Sequence, residues 1–178
     1  MENTRLSAQQ LTTVRAYAES LSAYITDQVG KTTFDSPLFA LRLYYDSGYY
    51  TPFAAVVTDY DRTEAIGRGE SPFTRAREVD VYRCMHMRED IGLILSRLYE
   101  WGKQPAADIG TEVMKALAAR LTTTRMLGRV PVSPDFVAYA LDPASPGDAG
   151  NLGRQLLACG AGAGQIAEWR NRGWLEST

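Results

Sequence analysis

Residues 38–58 read LFALRLYYDSGYYTPFAAVVT, two apolar runs on either side of Asp46-Ser47-Gly48. Three residues with glycine last suit a hairpin loop, because Gly48 accepts the left-handed backbone that such a loop needs. Pairing the flanks across it sets Tyr45 against Tyr49, Leu43 against Thr51, Leu41 against Phe53 and Phe39 against Ala55. These residues make one largely apolar face, which is expected to cover a core. Arg42 opposite Pro52 and Tyr44 opposite Tyr50 make the other face. Side chains alternate across a strand, so a slip of one residue would exchange the two faces. Pro52 has no amide to donate, which makes its strand an edge or interrupts it there.

Upstream, Ser7 followed by Gln10 is a capping-box start. Leu11, Val14, Ala18, Leu21 and Ile25 then recur at helical steps, which predicts an amphipathic helix over Ala8–Gln28 that stops at Gly30. Downstream, residues 59–78 are polar and rich in turn formers, an exposed connection. VDVYRCM (79–85) is a candidate third strand. Two helices follow, one carrying Ile91, Leu95 and Leu98, the other capped by Asp108 and carrying Ile109, Val113, Leu117 and Leu121. DFVAYALD (135–142) reads as a buried strand, and the tail as two short helices split at Gly160–Gly164. The order predicts a single α+β domain over residues 1–178. Its sheet is small and antiparallel, with three to four strands, and the N-terminal and C-terminal helices pack mainly on one face.

The chain has 178 residues, enough to bury roughly 70% of its unfolded surface in one core. Apolar residues are 45%, charged residues 22% and the net charge is −2, so no basic surface is available to hold nucleic acid. Only Lys31, Lys103 and Lys115 are lysines among 19 basic residues, the arginine bias of a GC-rich bacterial genome. Two isolated cysteines make no disulfide framework, and no run approaches the ~20 apolar residues of a membrane span. The expected setting is the cytoplasm, with no membrane contact and no cofactor.

Three constellations could carry chemistry. Asp59-Tyr60-Asp61-Arg62-Thr63 follows an apolar strand and spells D-x-D-x-T, which resembles the motif of haloacid-dehalogenase phosphatases. That resemblance implies a nucleophilic carboxylate and a general acid beside Mg²⁺ at a strand end, with Asp59 and Asp61 as the pair. The family also needs a later lysine and an acidic pair. Lys103 and Lys115 fall on predicted helices, and no Asp-Asp pair exists. A polar turn whose carboxylates bond local amides is the simpler account. Cys84 and His86 share a strand face with Asp80 and Tyr82, yet zinc would need further soft ligands and only Cys159 remains. A partly buried thiol and a surface imidazole are expected, with no metal. Gly160–Gly164 follows a helix and lacks the Lys-Ser/Thr of a phosphate loop, so it is a helix break. The terminal Trp169 and Trp174 are expected to dock the last helix on the core.

The layout also resembles an uncharacterised family of small bacterial domains of unknown function. The likeness rests on a helix leading to LFALRLYYDSG, a strand running into Thr58–Glu64 (T-x-x-x-x-T-E), and a late strand ending in Asp-Pro, DFVAYALDP. Members are similar to immunity proteins encoded beside bacterial toxins. The resemblance therefore implies a non-enzymatic domain that binds a protein, a toxin, with no catalytic residues to carry over. Arg42, Tyr44 and Tyr50 are the expected contact residues, since rigid tyrosines beside an arginine bind a partner at modest entropic cost. The alternative is a Mg²⁺-dependent phosphoryl-transfer enzyme using Asp59 and Asp61.

Overall fold

The Ser7 hydroxyl accepts the Gln10 amide at 3.2 Å, and the Gln10 side chain accepts the Ser7 amide at 2.8 Å. This is the predicted capping box, and it opens α1 (Ala8–Gly30). Val14, Tyr17, Ala18, Leu21, Ile25 and Val29 form its buried stripe. The structure is a computed structural model and describes residues 6–44, 52–79, 89–102, 109–124, 126–141 and 152–176.

After α1 come β1 (Leu38–Tyr44), β2 (Phe53–Thr58), α2 (Asp59–Gly67), β3 (Arg77–Val79), α3 (Glu89–Gly102) and α4 (Ile109–Thr122). The chain continues through β4 (Met126–Leu127), β5 (Val130–Leu141), α5 (Leu152–Ala158) and α6 (Ala163–Asn171). The strands lie in the order β3-β2-β1-β5, and the two-residue β4 extends the edge beside the start of β5. The chain is α+β with an N-terminal helix and C-terminal helices, as expected. The sheet is mixed rather than antiparallel throughout, because β5 pairs parallel to β1. A parallel pair needs a long crossover, and α3 and α4 lie within it.

The β1–β2 pairing is antiparallel, but its register differs from the one expected. Leu41 faces Val56, Leu43 faces Ala54 and Tyr44 faces Phe53. Phe53 therefore lies on the Arg42–Tyr44 side and is 60% exposed, not in the core beside Leu41. The cause is visible in β2. Ala54, Ala55, Val56 and Val57 are all buried, because the middle of this strand is covered on both faces. A continuous apolar run contains no alternation to fix its parity. β2 is also no edge strand, since β3 pairs on its outer side.

Residues 59–67, read as part of an exposed connection, form α2. Thr58 caps it, with Asp61 completing a second capping box. β5 begins earlier than expected, at Val130, and takes in Pro131 and Pro134.

Helices α1, α3 and α4 form one layer, α1 packing on both of the others and α4 on β5. Fully buried Leu41 and Leu43 point to one side of the sheet. The other side carries an aromatic cluster in which Phe73 meets Phe39, Tyr139 and Trp169 at centroid distances of 5.3, 5.8 and 5.2 Å. Trp169 of α6 is buried and Trp174 meets Phe39 edge-on, so the tail docks as expected. Gly128 sits at φ +64° in the β4–β5 turn. A Cβ there would stand 2.8 Å from the Gly30 Cα, so the end of α1 and this turn touch backbone to backbone.

Candidate functional site

The two candidate carboxylates sit in the first turn of α2 and are held by different arginines. Asp61 Oδ2 accepts the Thr58 hydroxyl at 2.7 Å and the Thr58 amide at 3.1 Å. Its Oδ1 accepts Arg77 Nη2 at 2.9 Å and Nε at 3.2 Å, tying α2 to β3. Burial works against the charged form of Asp61. The hydrogen bonds from Thr58 and Arg77 outweigh it and hold the carboxyl below the usual carboxylate range.

Asp59 Oδ2 accepts the Ser133 hydroxyl at 2.5 Å. Its Oδ1 stands 3.0 Å from Arg62 Nη2, an ion pair without an aligned hydrogen bond. Arg62 in turn donates through Nη1 to both oxygens of Asp135, at 3.1 and 3.3 Å, and lies over the Phe39 ring at 4.9 Å. A magnesium ion bridging Asp59 and Asp61 would have to displace arginines already in place. Among the described residues no three of His, Cys, Asp and Glu gather as a metal-binding group. Two open cavities, of about 990 and 550 Å³, are lined by other residues, Lys31, Asp35 and Arg129 in the first and Thr122, Asp135 and Gln165 in the second. The pair is built as a brace between α2, β3 and β5.

The expected contact residues give a different picture. Arg42 and Tyr44 are half-buried on β1, and the Arg42 guanidinium stacks 4.3 Å from the Tyr44 ring centroid. Arg42 Nη1 stands 3.5 Å from the Phe73 carbonyl, at the outer limit of a hydrogen bond. Tyr139 on β5 is the register neighbour of Arg42. Its hydroxyl and the Arg42 Nε are both buried without an aligned hydrogen bond, and the hydroxyl oxygen lies within reach of the Arg42 guanidinium. Burial pushes the Tyr139 phenol well above its ordinary range, with Arg42 acting in the other direction. Tyr139 therefore stays neutral and cannot serve as a counter-ion.

Exposed Phe53 opposite Tyr44 completes the patch. Tyr50, the third expected contact residue, lies outside the described residues, as do Cys84 and His86. Cys159 is a free thiol buried after α5, and burial raises its pKa. Sequence reasoning missed Phe53 and Tyr139. Phe53 could have been found only with the correct register, and Tyr139 only with the parallel β1–β5 pair.

No protein-family model, no characterised protein and no solved structure matches this chain.

Proposed function

We propose that this chain is a non-enzymatic, immunity-like domain of the cytoplasm that binds a protein partner, a bacterial toxin, through the Arg42–Tyr44–Phe53 face. The observation that carries this reading is the stacked Arg42–Tyr44 pair with exposed Phe53 across the ladder. Aromatic and arginine side chains dominate the energetics of protein interfaces when they are held rigid beside a dry core. A guanidinium stacked on a ring and two aromatics fixed on paired strands lose little further freedom on binding. Tyr50 is included in the face on the sequence reading. The net charge of −2 argues against a nucleic-acid ligand.

The test is to co-express the chain with the product of the gene adjacent to its own and to score growth and co-purification. Rescue of growth and a stoichiometric complex are expected from the unsubstituted chain. Tyr44→Ala should lose both while the purified variant keeps its melting temperature within a few degrees. A neighbouring product that is not toxic, or that forms no complex with the chain, would refute the reading.

A further inference from the structure

Among the described residues Arg42 has no carboxylate partner, whereas Arg62 and Arg77 do. Arg62 is shared between Asp59 and Asp135, and Arg77 holds Asp61. Arg42 has the long contact to the Phe73 carbonyl, the stack on Tyr44 and the neutral Tyr139 hydroxyl beside it. Its own Nε is buried without a hydrogen-bond partner, and the hydroxyl of fully buried Tyr139, which can accept as well as donate, brings no negative charge.

Leaving a donor and a charge unmatched inside a protein costs free energy, and the local excess of positive potential attracts an anion. Much of the desolvation of this guanidinium has already occurred in the free protein, and stacking fixes its plane. Both reduce what an incoming anion must overcome. The shape of the gap selects the anion. Arg42 is half-buried with its Nε turned inward, and the edge formed by its two Nη groups is a planar fork, which fits a carboxylate in two parallel hydrogen bonds. Phe53, exposed next to Tyr44, supplies an apolar wall that suits a side chain carried on a polypeptide.

We propose that Arg42 receives the carboxylate of an aspartate or glutamate side chain of the protein partner, gripped by the outer edge of its guanidinium. The inference rests on the binding reading above and names the chemistry that the partner must present.

The direct probe is N-acetyl-glutamate amide, titrated into the ¹⁵N-labelled full chain while the Arg42 Nε–H resonance is followed. That resonance is assigned by its loss in Arg42→Lys. A saturable shift is expected with the glutamate compound and none with N-acetyl-glutamine amide, which has the same shape without the charge. Equal responses to the two, or none to either, would overturn the proposal. A stronger response to inorganic phosphate than to the glutamate compound would overturn the assignment to a protein carboxylate.

In the toxin complex, Arg42→Gln and Arg42→Lys should each weaken binding about tenfold or more, the lysine because it cannot form the fork. The lysine variant keeps the charge and guards against a glutamine variant that fails to fold. If Tyr44→Ala weakens the complex while Arg42→Lys leaves it unchanged, the binding reading survives and this inference fails. If neither changes it, both fail.

Discussion

Tyr44 and Phe53 face each other across the β1–β2 ladder, yet the strands that carry them are otherwise buried, and this contrast defines what each side chain is for. Leu41, on the opposite side of β1, is fully buried and fills core volume. Leu41→Ala should therefore cost about 2–5 kcal/mol of stability through the cavity it leaves. Phe53→Ala should cost less than about 1 kcal/mol, the scale of a cross-strand pair at an exposed position. Urea denaturation of the two variants separates these outcomes. Equal losses would mean that Phe53 belongs to the core after all. Gly128 gives the opposite kind of prediction, since a side chain there meets backbone on two sides and φ is positive. Gly128→Ala should destabilise by more than about 1 kcal/mol, and thermal melting would register it.

Helix α2 shows how electrostatics fastens an element that hydrophobic patterning does not. Its nine residues, DYDRTEAIG, bury only Asp61 and Ala65, so no apolar stripe announces a helix. What fixes it is the Thr58–Asp61 box and the grip of Arg77. The carboxyl of Asp61 is held below its ordinary value, so its contribution is fully present above the unfolded-state pKa of about 4. That contribution is lost as the pH falls through the lower folded value. Denaturation midpoints should therefore fall on acidification below about pH 4, and Asp61→Asn should flatten that fall. An unchanged acid slope in the variant would show that other carboxylates carry it.

The same element explains why part of the fold was readable and part was not. The α1 cap and stripe are local signals, and they were legible. So were the two tail helices, split where Gly160 takes φ +95°. The capping box of α2 was equally local, but D-x-D-x-T drew attention to metal chemistry instead. The β1–β2 register and the parallel β1–β5 pair are non-local, and strands buried on both faces leave no alternation from which to read them.

The whole molecule is a sheet with three long helices in one layer and an aromatic cluster under α6 on the other side. Trp169 is the largest fully buried side chain and joins α6 to Phe39 and Phe73. Trp169→Ala should cost about 3–5 kcal/mol and release the tail, a loss that calorimetric melting would detect. Of the candidate site, Arg42 and Tyr44 were legible because aromatics and a cation alternate with core leucines along β1. Phe53 and Tyr139 became part of it only through tertiary pairing. Phe53 is 60% exposed while Tyr139 is sealed behind the patch. The most direct measurement is calorimetric titration of the protein encoded by the adjacent gene into the chain and into two variants, Tyr44→Ala on the patch and Tyr60→Ala on exposed α2. A loss of about 1–3 kcal/mol for Tyr44→Ala and no change for Tyr60→Ala is the predicted result. Equal affinities for the unsubstituted chain and Tyr44→Ala would contradict it.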